Sequence, residues 1–353
     1  MKYLNSLYFL MLCLAITLSS CNDGIEPNDN AIQFGYETRT LESNYAEVHG
    51  DTATIWGYSN NGGWVYGSQD GLTATLNTTD KTFTVEGVDT ENAPEYWSND
   101  SYHFYSLWPP VSNSVVFNTD NDDNDEFGDG KGLHFTVKTK VSQIDQLMAY
   151  FTVSGNDAAS RTAPVHFEYK HILSNLIFNV QKNTANVQDS IILLSFALHN
   201  VYYQGRCHYI ENSTPDWAFS ANNKKDSLVL YSYELNSDST FETTPLYIDA
   251  RVGTKINGTG GYLVIPQNLR RTSDDDVVSL SMAYGFVAKN SSKVYSKNYA
   301  SVTIPISTIA QWEQNKKYTY NIYLAAESND IIFGTPNVSS WNRRQGGSTI
   351  IVQ

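Results

Sequence analysis

Apolar and polar residues alternate along most of this chain in short runs, cut at intervals of roughly ten residues by Gly, Asn, Asp, Ser and Pro. A period of two predicts strands with one buried face. The first such run is Ile32, Phe34 and Tyr36 interleaved with Gln33 and Gly35. Thr52 to Tyr58 follows, then the turn Asn60-Asn61-Gly62-Gly63 before Trp64-Val65-Tyr66. Leu72 to Leu76 and Thr82 to Val85 flank Thr78-Thr79-Asp80-Lys81 as a hairpin. Tyr102 to Trp108 is stopped by Pro109-Pro110, Leu133 to Val137 is a further strand, and Ile144 to Met148 reads as a short turn or helix. Ser154 to Thr162 has the composition of a linker. Beyond it lie Val165 to Tyr169, Leu176 to Val180, the fully buried candidate Ile191 to Leu198, Leu246 to Ala250, Tyr262 to Ile265, Val277 to Met282 and Tyr318 to Leu324. The pattern predicts an all-β chain of two tandem β-sandwich domains, residues 31–160 and 161–353.

The residues before the first strand read differently. Lys2 and the apolar run Tyr8 to Ile16 form a signal-peptide pattern, too short for a membrane span. Leu18-Ser19-Ser20-Cys21 closes it as a lipobox, so residues 1–20 are expected to be cut away and the Cys21 sulfur acylated. Two or three acyl chains give stable anchoring. Residues 21–30 are polar, acidic and contain Pro and Gly; they predict a solvated tether. Of the three cysteines, Cys13 leaves with the signal and Cys21 takes lipid, so Cys207 stands alone and no intrachain disulfide is expected.

A net charge of −14 excludes nucleic acid as a partner and offers anionic lipid no electrostatic attraction. No enzyme constellation is present. His49, His103, His134, His166, His171, His199 and His208 lack paired-ligand spacing, the serines lack a nucleophile elbow, and Asn257-Gly258-Thr259-Gly260-Gly261 lacks the Lys-Ser/Thr of a phosphate loop. In the acidic run Asp120 to Asp129, the side chains of Asp120, Asp122 and Asn124 alternate as calcium ligands do. Asp125 then stands where such a loop needs glycine, and no glutamate falls at the twelfth position, so the run reads as a solvated loop. No metal or cofactor is expected. Trp56, Trp64, Trp97 and Trp108 have two readings, a sugar-stacking platform or sandwich core.

Five separated stretches resemble the fimbrillin family, the lipoprotein pilins of Gram-negative anaerobes. They are Trp97 with Tyr102 to Pro109, Asp145 to Tyr150, Phe167 to Ser174, Tyr262 to Gln267, and Trp312 to Leu324 with Trp341. Asn315 sits where the family has glycine; Asn is the residue best able to replace it at a left-handed turn. The resemblance implies transthyretin-like sandwiches and a structural or accessory pilin of a surface fimbria that contributes to adhesion. It implies cleavage after Arg39 by a protease of arginine specificity, loss of the first strand, and a groove filled by a strand of a neighbouring fimbrial subunit. Localisation would be the outer-membrane surface, lipid-anchored, and the fimbrium after processing. Host or bacterial surface ligands are further expected partners. Ser348 to Gln353 is a candidate donor strand or a last strand of the chain's own sandwich. The alternative is a surface lipoprotein that binds glycans or host ligands without polymerising.

Overall fold

The computed structural model describes residues 32–37, 50–60, 63–66, 71–77, 79–85, 97, 99–110, 117–118, 132–136, 145–154, 164–182, 189–208, 216–219, 224–225, 227–248, 253–256, 260–270, 277–304, 309–324 and 331–341. Every extended regular element among them is a strand, as the period-two pattern predicts. None is a helix long and apolar enough to cross a membrane.

The described strands fall into two main groups. The first is a nine-stranded sheet in the order Val165–Glu168, Phe34–Glu37, Thr82–Val85, Leu72–Asn77, Thr52–Ser59, Tyr102–Trp108, Leu147–Val153 and Lys170–His171, with Gly63–Tyr66 also paired to Thr52–Ser59. The two ends of that order are consecutive in sequence, joined by Tyr169. One continuous segment therefore pairs with the first strand on one side and with Leu147–Val153 on the other, and the sheet closes on itself. Inside lies an aromatic core that includes Phe34, Tyr36, Tyr66, Phe83, Phe104, Trp108, Phe167 and Tyr169.

The second group packs two sheets face to face. One contains Ser174–Lys182 and Lys316–Leu324, paired in parallel and flanked by Thr254–Lys255, Tyr262–Val264, Ile331–Phe333 and Asn337–Ser340. The other runs Leu228–Ser232, Ser190–His199, Ser279–Val287 and Val294–Thr303, with Tyr247–Ile248 beside Ser190–His199. Their inner faces share one apolar cluster built on Leu176, Phe178, Leu193, Phe196, Tyr284 and Tyr320. Ile191 to Leu198 is buried at every position but Ser195, as its apolar run predicts.

The structure departs from the sequence reading, or extends it, at three places. Ile144 to Met148 was expected as a turn or short helix, yet Leu147–Val153 is a strand paired along the whole of Tyr102–Trp108. Leu147 and Ala149 face the aromatic core while Met148 faces the second group, so both faces are covered and no alternation shows in the sequence. Val165–Glu168 and Lys170–His171 pair within the first sheet, and Ser174–Lys182 is the first strand of the second group. Alternation gives Val165 and Phe167 a buried face without saying which core receives it. Val294–Thr303 is the ten-residue strand the pattern hides, because its inner positions include Asn298 and the small Ala300.

A cluster of Trp56, Leu107, Met148, Ile172, Leu173, Leu263 and Ile265 joins the groups. Gly132–Thr136 also pairs with Gln204–His208 across them. Gln267 reinforces this region: its side-chain oxygen accepts from Tyr202 N at 2.9 Å and its nitrogen donates to Tyr202 O at 3.2 Å, imitating a rung of sheet.

Asn315 has φ 58°, the left-handed conformation expected from its place in the glycine position. Replacing it with Gly should leave stability within about 0.5 kcal/mol, whereas Asn315→Ala should cost about 1 kcal/mol in urea unfolding. Equal midpoints for the two variants would contradict this. Burial pushes Tyr318 from 10.0 up to about 12 and raises Tyr262 and Tyr320 as well. The unfolded chain ionises these phenols near their ordinary value, so their contribution is complete below pH ~10 and is lost as pH rises through the folded values. The urea midpoint should fall steadily between pH 10 and about 12; a flat midpoint there would refute it.

Candidate functional site

The first strand is the element on which the functional expectations rest, and its seat is built from the core outward. Ile32, Phe34 and Tyr36 point inward and are 6, 4 and 2% exposed. Phe34 meets Tyr66 and Phe104 edge-on at 5.1 and 5.5 Å and stacks parallel on Phe167 at 5.8 Å. Tyr36 lies against Phe83 at 5.0 Å and Trp108 at 6.2 Å. Edge-to-face and offset-stacked pairs at such distances add to the gain from burial itself.

Phe34–Glu37 runs parallel to Val165–Glu168, with Phe34 opposite Val165 and Tyr36 opposite Phe167. Val165 N donates to Gln33 O at 2.7 Å. On its other side the strand meets Thr82–Val85 through the single pair Gly35 and Thr82. Gly35 has a local reason: a Cβ there would lie 3.2 Å from the His166 ring and 3.3 Å from Lys81 O.

The hairpin between Asn77 and Thr82 forms one wall of the seat. Asn77 Oδ1 accepts from the backbone of Thr79 and Asp80, its carbonyl accepts from Lys81 N, and Lys81 takes φ 60°. This Asx-type turn aims Lys81 O at Tyr36 N, 3.0 Å away. The Tyr36 hydroxyl donates to Asn77 O at 3.4 Å, and Lys81 Nζ sits 5.6 Å over its ring. Burial raises the Tyr36 phenol, so the ring stays neutral there. Beneath, Tyr169 is held by the Ser106 hydroxyl at 2.6 Å, and burial pushes its phenol far up. Chemically the site is an apolar slot with backbone partners on both sides, suited to holding one extended segment. The hairpin's acceptors were not foreseen; the Asn77 to Lys81 turn chemistry was the available signal.

The remaining candidates are spread elsewhere. Cys21, Arg39, the Asp120 to Asp129 loop, the Ser154 to Thr162 linker (apart from Ser154) and Ser348 to Gln353 lie outside the described residues. Trp56, Trp97 and Trp108 are core at 2, 6 and 2% exposure, which removes them as a platform; the Trp64 side chain is not among those described. Among the described residues no group of three His, Cys, Asp or Glu could hold a metal ion. His171 Nδ1 pairs with Asp145 at 2.9 Å and its ring stacks on Trp341 at 4.0 Å, which makes it part of the joint between the groups. His199 meets the Ser281 hydroxyl at 2.7 Å, and Cys207 is buried.

A family model described as "Fimbrillin-like" matches residues 38–341. Among solved structures, a fimbrial protein from Bacteroides vulgatus superposes with TM-score 0.55 at 15% identity, covering 88% of this chain and 99% of that one. The tip fimbrial protein Mfa3 from Porphyromonas gingivalis, truncated at its C-terminus, gives TM-score 0.38 at 9% identity over 88% of this chain and 98% of that one. None of the curated proteins matches in sequence.

Truncating Phe34 removes contacts with three rings at once. Phe34→Ala should destabilise the protein by roughly 3–5 kcal/mol, while Gln33→Ala, whose side chain is exposed, should stay within about 0.5 kcal/mol. Denaturant unfolding of the two variants measures this, and comparable losses would mean that the seat does not discriminate side chains.

Proposed function

The chain belongs to the fimbrillin-like family, and from that premise we propose that it is a structural or accessory pilin of a cell-surface fimbria. Its amino terminus is lipidated at Cys21 and carried on the outer membrane through the tether of residues 21–30. A protease of arginine specificity cuts after Arg39, two residues beyond the strand Phe34–Glu37. The strand then leaves its seat and a neighbouring fimbrial subunit supplies an extended segment in its place. Residues 31–160 and 161–353 act as two transthyretin-like units, adjusted by the pairing of Val165–Glu168 with the first strand.

The observation that carries this reading is the position of the first strand. It fills the core with three side chains, and among the described strands its partners, Val165–Glu168 and Thr82–Val85, are distant in sequence. Burial of Ile32, Phe34 and Tyr36 contributes roughly 1.5–3 kcal/mol each. A donor segment of similar composition gains about as much, so the two occupied states nearly balance. The attached strand competes at an effective concentration of about millimolar or more and wins until the chain is cut. The uncut chain is therefore locked against assembly, and cleavage releases it. The non-polymerising glycan binder loses the tryptophan platform on which it was first argued, because three of its four rings are core.

Arg39→Ala should reach the cell surface folded, acylated at Cys21, and monomeric. Wild-type protein recovered from the surface should start at Thr40 on amino-terminal sequencing and run as high-molecular-weight ladders on a denaturing gel. Wild-type levels of polymer from Arg39→Ala would remove that residue from the mechanism.

A further inference from the structure

The outer face of the nine-stranded sheet departs from the pattern of a solvated face. Register places Trp56, Tyr105 and Tyr150 side by side across three strands, with Tyr58, His103 and Thr152 in the next row. Trp56 is covered, while Tyr58, His103, Tyr105 and Tyr150 are half-buried. The preceding row, which holds Leu107 and Met148, is sealed by the joint between the groups, and Tyr105 packs against the same cluster. The aromatic strip thus starts at that joint and runs out toward the turn at Asn60.

Its rings are held in place. Tyr105 and Tyr150 lie 4.8 Å apart at 40°, and His103 is near-parallel to Tyr150 at 6.2 Å. His103 Nδ1 is 2.9 Å from the Tyr150 hydroxyl and Nε2 is 3.1 Å from Asn60 Oδ1. The imidazole bridges a phenol and an amide at the edge of the strip. On Thr52–Ser59, Tyr102–Trp108 and Leu147–Val153 these rows carry no carboxylate or amine, although the chain has a net charge of −14; the exposed Lys170 stands opposite Met148 at the edge, with Glu168 two residues before it.

We propose that this face binds a neutral oligosaccharide, with a sugar ring stacked on Tyr105 and Tyr150 and its hydroxyls met by the Tyr150 hydroxyl and Asn60. Fixed aromatic faces suit the C–H-rich side of a pyranose, and a few oriented polar groups at the edge supply direction. Three strands span about 10 Å, room for a disaccharide. The three strands of the strip supply no charged group to offset the desolvation of an acidic sugar or a charged peptide. The site is independent of strand exchange: the first strand packs on the opposite, inner face, against Phe104.

The test uses the full chain on immobilised neutral hexose and N-acetylhexosamine oligosaccharides beside sialylated and sulfated ones, followed by calorimetry with the best-bound neutral glycan. Tyr105→Ala and Tyr150→Ala should each weaken binding roughly tenfold, the loss expected for one stacked ring. Tyr150→Phe should retain most of it, and Tyr299→Ala, 70% exposed on the edge strand Val294–Thr303, should not change it. Asn60→Ala, at an exposed turn, should weaken binding severalfold with an unchanged unfolding midpoint, and so tests the site without touching the core. Retention of anionic glycans only, of none, or affinity unaltered by Tyr150→Phe, Asn60→Ala and the alanine variants together would overturn the proposal.

Discussion

Pairing of Phe34–Glu37 with Val165–Glu168 is the constraint on which the rest of the first sheet depends. Those strands are far apart in sequence and run in the same direction, so their contact carries a large loop-closure cost. Three aromatic contacts to Phe34 and two to Tyr36 offset it. With that strand in place the order of the sheet closes through Tyr169. Without it, Val165–Glu168 and Thr82–Val85 both present unpaired backbone to the same slot, and an unpaired edge is a template for another chain.

Much of this was legible because strand periodicity is local. Ile32, Phe34 and Tyr36 alternate cleanly, the Asn77 to Thr82 hairpin carries its own turn chemistry, and Asn315 adopts the backbone its position demands. Partner choice was not legible. Val165 and Phe167 have a buried face in either assignment, and only the aromatic contacts with Phe34 and Phe83 show which core takes them. Leu147–Val153 hid because both faces are covered near its start. Of the tryptophans, three went where sandwich packing sends large rings, and the half-buried aromatic strip fell instead to tyrosines on alternate positions. The first strand's seat was readable from one side only: the sequence shows what goes in, and three-dimensional pairing shows what receives it.

Family membership and the joint between the groups bear on each other. All five stretches that carry the resemblance meet there: His171, next to Asp145, stacks on Trp341, and Leu173, Leu263 and Ile265 pack under Trp56 and Leu107. Such residues fix the orientation of one sheet on another.

The row Leu173, Asn315 and Trp341 has a mechanical consequence. Asn315 N donates to Leu173 O, and Trp341 N donates to Asn315 O. Leu173 is where the chain enters the second group, and Trp341 follows its last described strand, so these two points of the chain stand side by side. A load applied between them acts at one end of the sheet and would open it like a zipper. Asn337–Ser340, exposed at all four positions, peels first, after the Trp341 ring lifts from His171. The parallel contact of Ser174–Lys182 with Lys316–Leu324 also begins beside Leu173, but it is eight residues deep and would outlast the short exposed pairing.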